Sequence, residues 1–192
     1  CFSITSAPKA TEAMEAPIPI VWSDKPTLLP NNSFKCGIVF KLVEEGSMGK
    51  LLWMRGVYGK AGSLDFQKNW RSYKKYAGGG ILMDQGIHML DLFRFFAEEE
   101  FSCKASYLDA IFWKIENEDN AFVILESDSG VISSLHSTAN QWKHKFLLEL
   151  TFENGFINLD GILSSTGSYA PEKMVYSYRH KEDIEKGMGR PL

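Results

Sequence analysis

The sequence lacks the features that would place it in a membrane-spanning or nucleic-acid-binding class. No apolar run reaches the roughly 18 residues of a membrane span, and no positive segment followed by a hydrophobic one stands at its start. The 21 lysines and arginines are scattered, and the formal net charge is -3. No basic stripe is therefore available to neutralise nucleic-acid phosphates, and we expect neither a membrane nor a nucleic acid as partner.

Cysteine and histidine are scarce as well. Cys1, Cys36 and Cys103 are odd in number and share no metal-ligand spacing, which indicates reduced thiols of a cytoplasmic protein. Only four histidines occur, and none belongs to a two-histidine helical motif. With 44% hydrophobic and 23% charged residues, the 192-residue chain has the composition of an ordinary globular domain.

Proline divides the chain into two parts. Five of the seven prolines lie within residues 1–31. Each proline removes an amide donor and biases the residue before it toward extended backbone, so no long regular element is expected there. We predict an irregular arm over residues 1–31, or a remnant of a junction with a further domain, followed by one folded domain over residues 32–192.

The folded part is organised around a glycine run and a very apolar helix. Gly78, Gly79 and Gly80 predict a turn, and most positions from Ile81 to Phe96 are Ile, Leu, Met or Phe, which indicates a helix buried on most sides. Asp84 and His88 interrupt this helix at a spacing of four residues. That spacing places them on one face, so we predict a hydrogen bond between them.

Three interpretations of this polar pair stay open from the residues alone. A histidine in an apolar helix is most often a satisfied core residue. Asp84 and His88 could instead ligate one metal ion, although no third ligand stands near them in the sequence. In the third interpretation His88 is a general base, because an imidazole accepts a proton near neutral pH, and Asp84 orients its ring.

The remaining chain has the period of a β-sheet. Strands are predicted at 51–58, 102–113, 120–127, 131–138, 145–152, 156–159 and 174–178, and a short helix at 38–45. Asp128-Ser129-Gly130 and Glu153-Asn154-Gly155 predict tight hairpin turns. The expected fold is α+β, with a predominantly antiparallel, open-faced sheet and helices on one face.

The predicted sheet has more apolar side chains than one helical layer can cover. The side chains in question are Ile111, Trp113, Phe122, Ile124, Phe146, Leu148 and Leu150. An uncovered apolar face of this size usually meets another protein surface. We therefore expect a homo-oligomer that forms through the open face of the sheet.

The glycine run and its helix resemble a known signature. The stretch from Gly78 to Asp91 is similar to the C-terminal, substrate-binding domain of the glucose-fructose oxidoreductase / inositol dehydrogenase / MocA-like (Gfo/Idh/MocA) family of NAD(P)-dependent dehydrogenases. Asn69-Trp70-Arg71 stands where the family places a Trp-Arg pair. Gln141-Trp142-Lys143-His144 resembles part of a strand pair in its sugar-oxidising branches. The resemblance runs from about residue 32 to residue 178.

The resemblance implies a fold, an activity and a set of site residues. The fold would be that of a dihydrodipicolinate-reductase-like C-terminal domain, and the activity oxidation of a CH-OH group of a sugar or polyol with NAD or NADP. The matching positions imply a catalytic pair, Asp84 and His88, and a set of substrate-binding residues, namely Arg71, Trp70, Gln85 and Trp142. The family also uses a lysine at its domain junction, for which Lys9 and Lys25 are the candidates.

No Gly-x-Gly-x-x-Gly loop follows a strand anywhere in the sequence. We therefore expect that the N-terminal Rossmann domain of the family is missing, and no cofactor-binding residue is assigned. Two hypotheses remain. The chain is the substrate half of a sugar or polyol oxidoreductase, or it is a non-catalytic ligand-binding or oligomerisation module that has lost its cofactor domain. Metal-dependent hydrolysis is a more distant alternative.

Overall fold

The computed structural model describes residues 48–162 without a break. It also describes residues 164 and 167–179 and single positions at 39, 41, 43, 46, 182, 185 and 186. The predicted arm at 1–31, with Lys9 and Lys25, lies outside the described residues, as does most of the predicted helix at 38–45. The division at residue 31 therefore stays a prediction.

A seven-stranded sheet forms the body of the described chain. Its strands are β1 (Leu51–Gly59), β2 (Phe101–Asp109), β3 (Asn120–Ser127), β4 (Ile132–Thr138), β5 (Lys145–Phe152), β6 (Gly155–Asp160) and β7 (Lys173–Tyr178). They lie in the order β2-β3-β4-β1-β5-β6-β7. Every neighbouring pair is antiparallel except β1 and β4, which are parallel. The expected α+β fold with a predominantly antiparallel sheet is confirmed, and the sheet contains one parallel pair.

A long crossover between β1 and β2 makes the parallel pair possible, because parallel neighbours cannot be joined by a tight turn. It contains two 3₁₀ turns (Phe66–Lys68 and Trp70–Ser72), the single-turn helix α1 (Lys74–Ala77), a π turn (Leu82–Gly86) and the helix α2 (Ile87–Ala97). The predicted buried helix is therefore a π turn that continues into an eleven-residue α-helix. No helix of the described residues is long and apolar enough to cross a membrane.

Gly56 allows α2 to pack directly on the centre of the sheet. A Cβ atom added to Gly56 would lie 2.3 Å from Met89 Cγ and 2.9 Å from Phe93 Cζ. Met89 and Phe93 are fully buried in the core. Burial of one such side chain stabilises a fold by about 1.5–3 kcal/mol. The missing side chain in β1 thus determines how closely the helix and the sheet approach each other.

The two faces of the sheet differ from the prediction in one respect. Phe146, Leu148 and Leu150 of β5 were expected on the open face, but they are buried in the core cluster that contains the helix residues. Phe122 and Ile124 of β3 are 47% and 41% exposed, and Trp53 and Ile132 are exposed to a similar degree. The period of two separates the two faces of a strand but does not say which face a helix covers.

The predicted strand at 102–113 ends earlier, at Asp109. Ile111 and Trp113 therefore lie in the loop after β2 and not on the sheet. The buried carboxylate of Asp119 bends this loop by accepting hydrogen bonds from the backbone N–H groups of Ile111, Phe112 and Trp113 at 2.7–3.0 Å. Cys103 of β2 is a free, exposed thiol, while Cys1 and Cys36 lie outside the described residues.

Candidate active site

Because β1 and β4 are parallel, their C-terminal ends lie side by side at the same end of the sheet. Gly59 pairs with Thr138 there. Lys60 follows directly, and its N–H donates to the carbonyl of Thr138 at 2.9 Å, while its own carbonyl accepts from the N–H of Gln141 at 3.2 Å. These bonds on both sides fix the backbone from which the Lys60 side chain projects.

The glycine run fits closely against the loop before β3. A Cβ atom on Gly80 would lie 2.2 Å from the carbonyl oxygen of Glu118. The Glu118 carboxylate accepts hydrogen bonds from the N–H groups of Gly80 and Leu82 at 3.0–3.1 Å, and its carbonyl accepts from Ile81 at 3.0 Å. Glu118 therefore satisfies the first free amides of the helical segment, where a negative charge is also favoured by the helix dipole.

Asp84 stands one turn into this segment and pairs with two cations. Its Oδ2 accepts a hydrogen bond from Lys60 Nζ, and its Oδ1 accepts one from Arg71 Nε at 3.2 Å. Burial alone would raise the pKa of Asp84. The hydrogen bond and charge of Lys60, followed by those of Arg71, outweigh burial, so the pKa of Asp84 lies below its ordinary value.

A cleft of about 230 Å³ surrounds this ion-pair network. We call it the Asp84 cleft, and its walls include Lys60, Phe66, Trp70, Arg71, Asp84 and Glu118. The guanidinium of Arg71 lies over the Trp70 ring at 4.5 Å, and the ammonium of Lys60 lies 5.8 Å from the Phe66 ring. The fold thus brings three of the predicted residues together, namely Asp84, Arg71 and Trp70.

Lys60, Phe66 and Glu118 belong to this cleft but were missed from the sequence. Lys60 is the important omission, because its ammonium is the first group that lowers the pKa of Asp84 against the effect of burial. Its only signal in the sequence is its position directly after a strand whose end faces the glycine run. That signal becomes visible only once the crossover has brought the two segments together.

His88 lies in a second group of residues, which we call the His88 cluster. It consists of His88, Tyr58, Tyr169, His144 and Gln85. The rings of His88 and Tyr58 have centroids 5.9 Å apart, those of Tyr58 and Tyr169 are 5.8 Å apart, and those of Tyr169 and His144 are 5.0 Å apart. The Tyr169 hydroxyl donates to Gln85 Oε1 at 3.5 Å. Predicted residues His88 and Gln85 therefore share this cluster.

The predicted hydrogen bond between Asp84 and His88 is wrong. Both carboxylate oxygens of Asp84 are bonded to Lys60 and Arg71, and Nδ1 of His88 is buried with no partner among the described residues. A charge-assisted bond from an ammonium or guanidinium is about twice as strong as a neutral one. The cations therefore outcompete an uncharged imidazole for the same carboxylate.

The two regions still influence each other electrostatically. Burial raises the pKa of Tyr58 and outweighs the hydrogen bond with Tyr169, which lowers it, while the charge of Asp84 adds a smaller increase. Burial, then Tyr58, and then Asp84 raise the pKa of Tyr169 in the same way. Both phenols therefore stay protonated and can donate hydrogen bonds at neutral pH.

Trp142 is not part of the Asp84 cleft. Its ring is 99% exposed on the loop between β4 and β5, where it lines a separate cavity of about 400 Å³ together with His144 and Phe146. His144 belongs to the His88 cluster, so Trp142 lies beside that cluster. Within the described part of the chain, no group of three His, Cys, Asp or Glu side chains could hold a metal ion.

Comparison with known proteins gives the class of the domain. Residues 39–158, more than half of the chain, match the family described as the GFO/IDH/MocA C-terminal domain. The chain belongs to this family. Its glycine run, Asp84 and His88 all lie within the matched residues, as the resemblance of the sequence predicted.

Individual relatives are dehydrogenases. The chain is 38% identical over 61 residues, 31% of its length, to levoglucosan dehydrogenase of Pseudarthrobacter phenanthrenivorans, of which the match covers 16%. Among solved structures it is similar to levoglucosan dehydrogenase in complex with NADH and levoglucosan (TM-score 0.58, 24% identity, 71% of this chain and 42% of that one). It is also similar to the WlbA dehydrogenase of Bordetella pertussis in complex with NADH and UDP-GlcNAcA (TM-score 0.59, 19% identity, 77% and 44%). The chain spans less than half of these solved relatives, and at such identities the likeness shows a shared fold.

Proposed function

We propose that this chain is the substrate-binding domain of an NAD(P)-dependent oxidoreductase that acts on a CH-OH group of a sugar or polyol. Membership of the family supports the proposal, and the related structures named above contain NADH together with a sugar or a nucleotide sugar. The observation that carries it is the arrangement of side chains beside the C-terminal ends of β1 and β4. There Asp84, held by two cations, lies one turn from a histidine with an unpaired ring nitrogen.

The start of the helical segment does not fit the phosphates of a dinucleotide. Helix starts bind phosphate through free N–H groups, but the amides of Gly80 and Leu82 already donate to Glu118. We therefore assign the binding of NAD or NADP to residues outside the described ones. In a reaction of this class the dinucleotide accepts the hydride, and the roles below are those of the chain's own side chains.

Oxidation of an alcohol also releases the hydroxyl proton, and His88 is the proposed base. Its imidazole is half-buried beside Tyr58, and Nδ1 makes no hydrogen bond to the described residues. His88 makes no ion pair to the described residues, and because Nδ1 is buried, the proton would be accepted at the other ring nitrogen, Nε2. Asp84 holds Lys60 and Arg71 in the cleft one helical turn away, and these two cations keep its carboxylate ionised.

The substrate contacts follow from the two regions. Arg71 and Trp70 offer donors and an aromatic surface in the Asp84 cleft, and Gln85 offers an amide beside Tyr169. We propose Trp142 as an outer contact, because a fully exposed indole beside the His88 cluster has no packing role within the described chain.

The direct test uses the longest natural form of the protein that contains this domain. Reduction of NAD and NADP is followed by absorbance with a panel of sugars and polyols, and binding of NADH and NADPH by fluorescence. We expect saturable dinucleotide binding and turnover of at least one sugar, with activity abolished in His88→Asn. Asp128→Asn, an exposed change in the β3–β4 turn, is the control. Dinucleotide binding without any turnover would contradict the proposal.

We also propose that the open face of the sheet forms a homo-oligomer interface. Phe122, Ile124, Trp53 and Ile132 are 40–47% exposed on this face, and exposed apolar side chains that form one patch often mark a protein–protein interface. Light scattering should show a mass above that of one chain, and Ile124→Asp should reduce it toward the monomer. A monomeric wild-type protein at micromolar concentration would refute this part.

The second candidate function is a non-catalytic ligand-binding or oligomerisation module. The occupied helix start favours it, because this domain by itself offers no free amides for a cofactor phosphate. Such a module would bind sugar and self-associate, but NADH would not bind even to the longest natural form. The fluorescence titration above therefore separates the two functions.

A further inference from the structure

The Asp84 cleft contains more hydrogen-bond donors than free acceptors. A lysine ammonium carries three donors and an arginine guanidinium five. Lys60 and Arg71 each direct one donor to Asp84, so most of their donors remain for a ligand. Both oxygens of Asp84 are engaged by these same two residues, which leaves the cleft with little acceptor capacity.

The second carboxylate of the cleft does not change this balance. Glu118 directs both oxygens to the N–H groups of Gly80 and Leu82 at 3.0–3.1 Å, where the start of the helical segment offsets about half of its charge. The groups that remain are the positive Lys60 and Arg71 and the negative Asp84. Together with the half of the Glu118 charge that is not offset, these groups leave a surplus of about half a positive charge.

Arg71 is held in place and still accessible. Its guanidinium stacks on Trp70 at 4.5 Å, and its backbone carbonyl accepts a hydrogen bond at 2.9 Å from Asn117, a buried residue. Its backbone N–H donates to Asn69 Oδ1 at 3.0 Å. The side chain is 46% exposed, so its terminal nitrogens can reach a ligand. A positioned guanidinium matches the geometry of a carboxylate or phosphate better than that of a single hydroxyl.

We propose that the Asp84 cleft binds the oxyanion of an acidic sugar, a carboxylate or a phosphate, through Arg71 and Lys60. This inference rests on the proposed function and narrows it from sugars and polyols in general to those that carry a negative charge. The polar hydroxyls of such a ligand would extend toward Gln85 and Tyr169 of the His88 cluster.

Calorimetric titration of the 192-residue chain tests the proposal. The ligands are glucuronate, glucose 6-phosphate, neutral glucose and inorganic phosphate, each at 0.02 M and 0.3 M salt. We expect one of the two acidic sugars to bind at least tenfold more tightly than glucose, and the two arms distinguish carboxylate from phosphate. Higher salt should weaken the binding of the acidic sugar but not that of glucose, because the Debye length falls from tens of ångströms to less than 10 Å over this range.

Variants identify the residue that recognises the charge. Arg71→Gln should lower the affinity for the acidic sugar roughly tenfold or more and leave the affinity for glucose unchanged, since it removes a charge-assisted contact. Arg71→Lys should restore part of the lost affinity. Arg55→Gln is the matched control, because Arg55 is an arginine of β1 paired with Glu149 on the open face. The salt dependence of the unaltered chain gives the answer even if a variant does not fold.

Several results would overturn the inference. Equal affinity for glucose and both acidic sugars would do so, as would inorganic phosphate that binds as tightly as glucose 6-phosphate, which would reveal a plain anion site. If the longest natural form oxidises only neutral sugars, the proposed function stands and this inference fails. If acidic sugars bind through Arg71 but are never oxidised, this inference stands and the proposed function fails.

Discussion

The Asp84 cleft and the His88 cluster lie one helical turn apart, yet they differ in how far the hydrogen-bonding capacity of their polar groups is satisfied. In the cleft, the carboxylate of Asp84 has a cation on each oxygen. In the cluster, the Nδ1 atom of His88 has no hydrogen-bond partner among the described residues. A buried polar atom without a partner costs about 1–3 kcal/mol. The difference indicates that Asp84 stabilises the fold through its two cations, whereas the proposed role of His88 as a base does not depend on a hydrogen bond at Nδ1.

Replacing His88 should produce the largest change in activity with the smallest change in stability. We expect His88→Asn to lower kcat of the longest natural form by about 10²–10⁴-fold, the usual contribution of a general base. The free energy of unfolding should change by less than about 1 kcal/mol, because no hydrogen bond to the described residues is lost. Steady-state kinetics and urea unfolding measure the two effects. Activity within threefold of wild type would show that His88 is not the general base, and the proposed difference in role between the Asp84 cleft and the His88 cluster would then be wrong.

Gly56→Val should disrupt both regions together. Added atoms at Gly56 would collide with Met89 and Phe93, and overpacking of a core costs about 1–3 kcal/mol or more. The displaced helix would shift Asp84 and His88 together. The midpoint of thermal unfolding should therefore fall, and the affinity for sugar should decrease. Val57→Ile, which adds one methyl group at the next position on the other face of β1, is the control. A fully stable Gly56→Val variant would show that the helix does not depend on this contact.

Asp84→Asn should reveal the structural role of the cleft through its pH dependence. We expect a loss of about 1–2 kcal/mol at pH 7, since a hydrogen bond to a charged group contributes about 1.5–3 kcal/mol and this pair is partly open to solvent. The pKa of Asp84 is lowered in the folded protein. Its stabilisation is therefore complete above the unfolded value of about 4 and disappears as the pH falls through the folded value.

Urea unfolding of wild type and Asp84→Asn between pH 2 and pH 8 measures this difference. The two curves should converge at the acidic end. Asp128→Asn is the matched control, because Asp128 is an exposed aspartate in a hairpin turn, and its curve should follow wild type throughout. A constant gap between wild type and Asp84→Asn at every pH would mean that the carboxylate charge does not stabilise the fold.

The smallest expected effect is a difference between Lys60 and Arg71 in how strongly each lowers the pKa of Asp84. The side chain of Lys60 is 19% exposed and that of Arg71 is 46% exposed, so solvent screens Arg71 more strongly. Lys60→Met should therefore raise the pKa of Asp84 more than Arg71→Met does, as carboxyl-carbon NMR titration can show. The reverse order would mean that Arg71, not Lys60, is the main partner of Asp84.

Much of the site could be predicted because its signals are local. The glycine run, the apolar helix and the family resemblance all come from one continuous stretch, which also contains Asp84, Gln85 and His88. Trp70 and Arg71 stand only a few residues earlier, and the fold brings them to Asp84. Domain class and the hairpin-rich sheet follow from patterns of the same short range.

The errors arose where contacts join distant parts of the chain. Spacing alone could not show that Lys60, at the end of β1, would take the carboxylate expected to orient His88. Alternation in β5 gave two faces but not the covered one, so Phe146, Leu148 and Leu150 were placed on the wrong side. The parallel pair was missed because hairpin turns are visible in a sequence, whereas the partner across a long crossover is not.

The position of β1 between β4 and β5 also has a consequence for how the molecule folds. This strand has no sequence-adjacent neighbour, and a bond such as that from Ser137 to the carbonyl of Tyr58 joins residues 79 positions apart. Closing so large a loop costs entropy before any contact compensates for it, which slows folding. During synthesis, a nascent chain that ends before β4 would already contain every residue that lines the Asp84 cleft. It would still lack both strands between which β1 lies in the sheet.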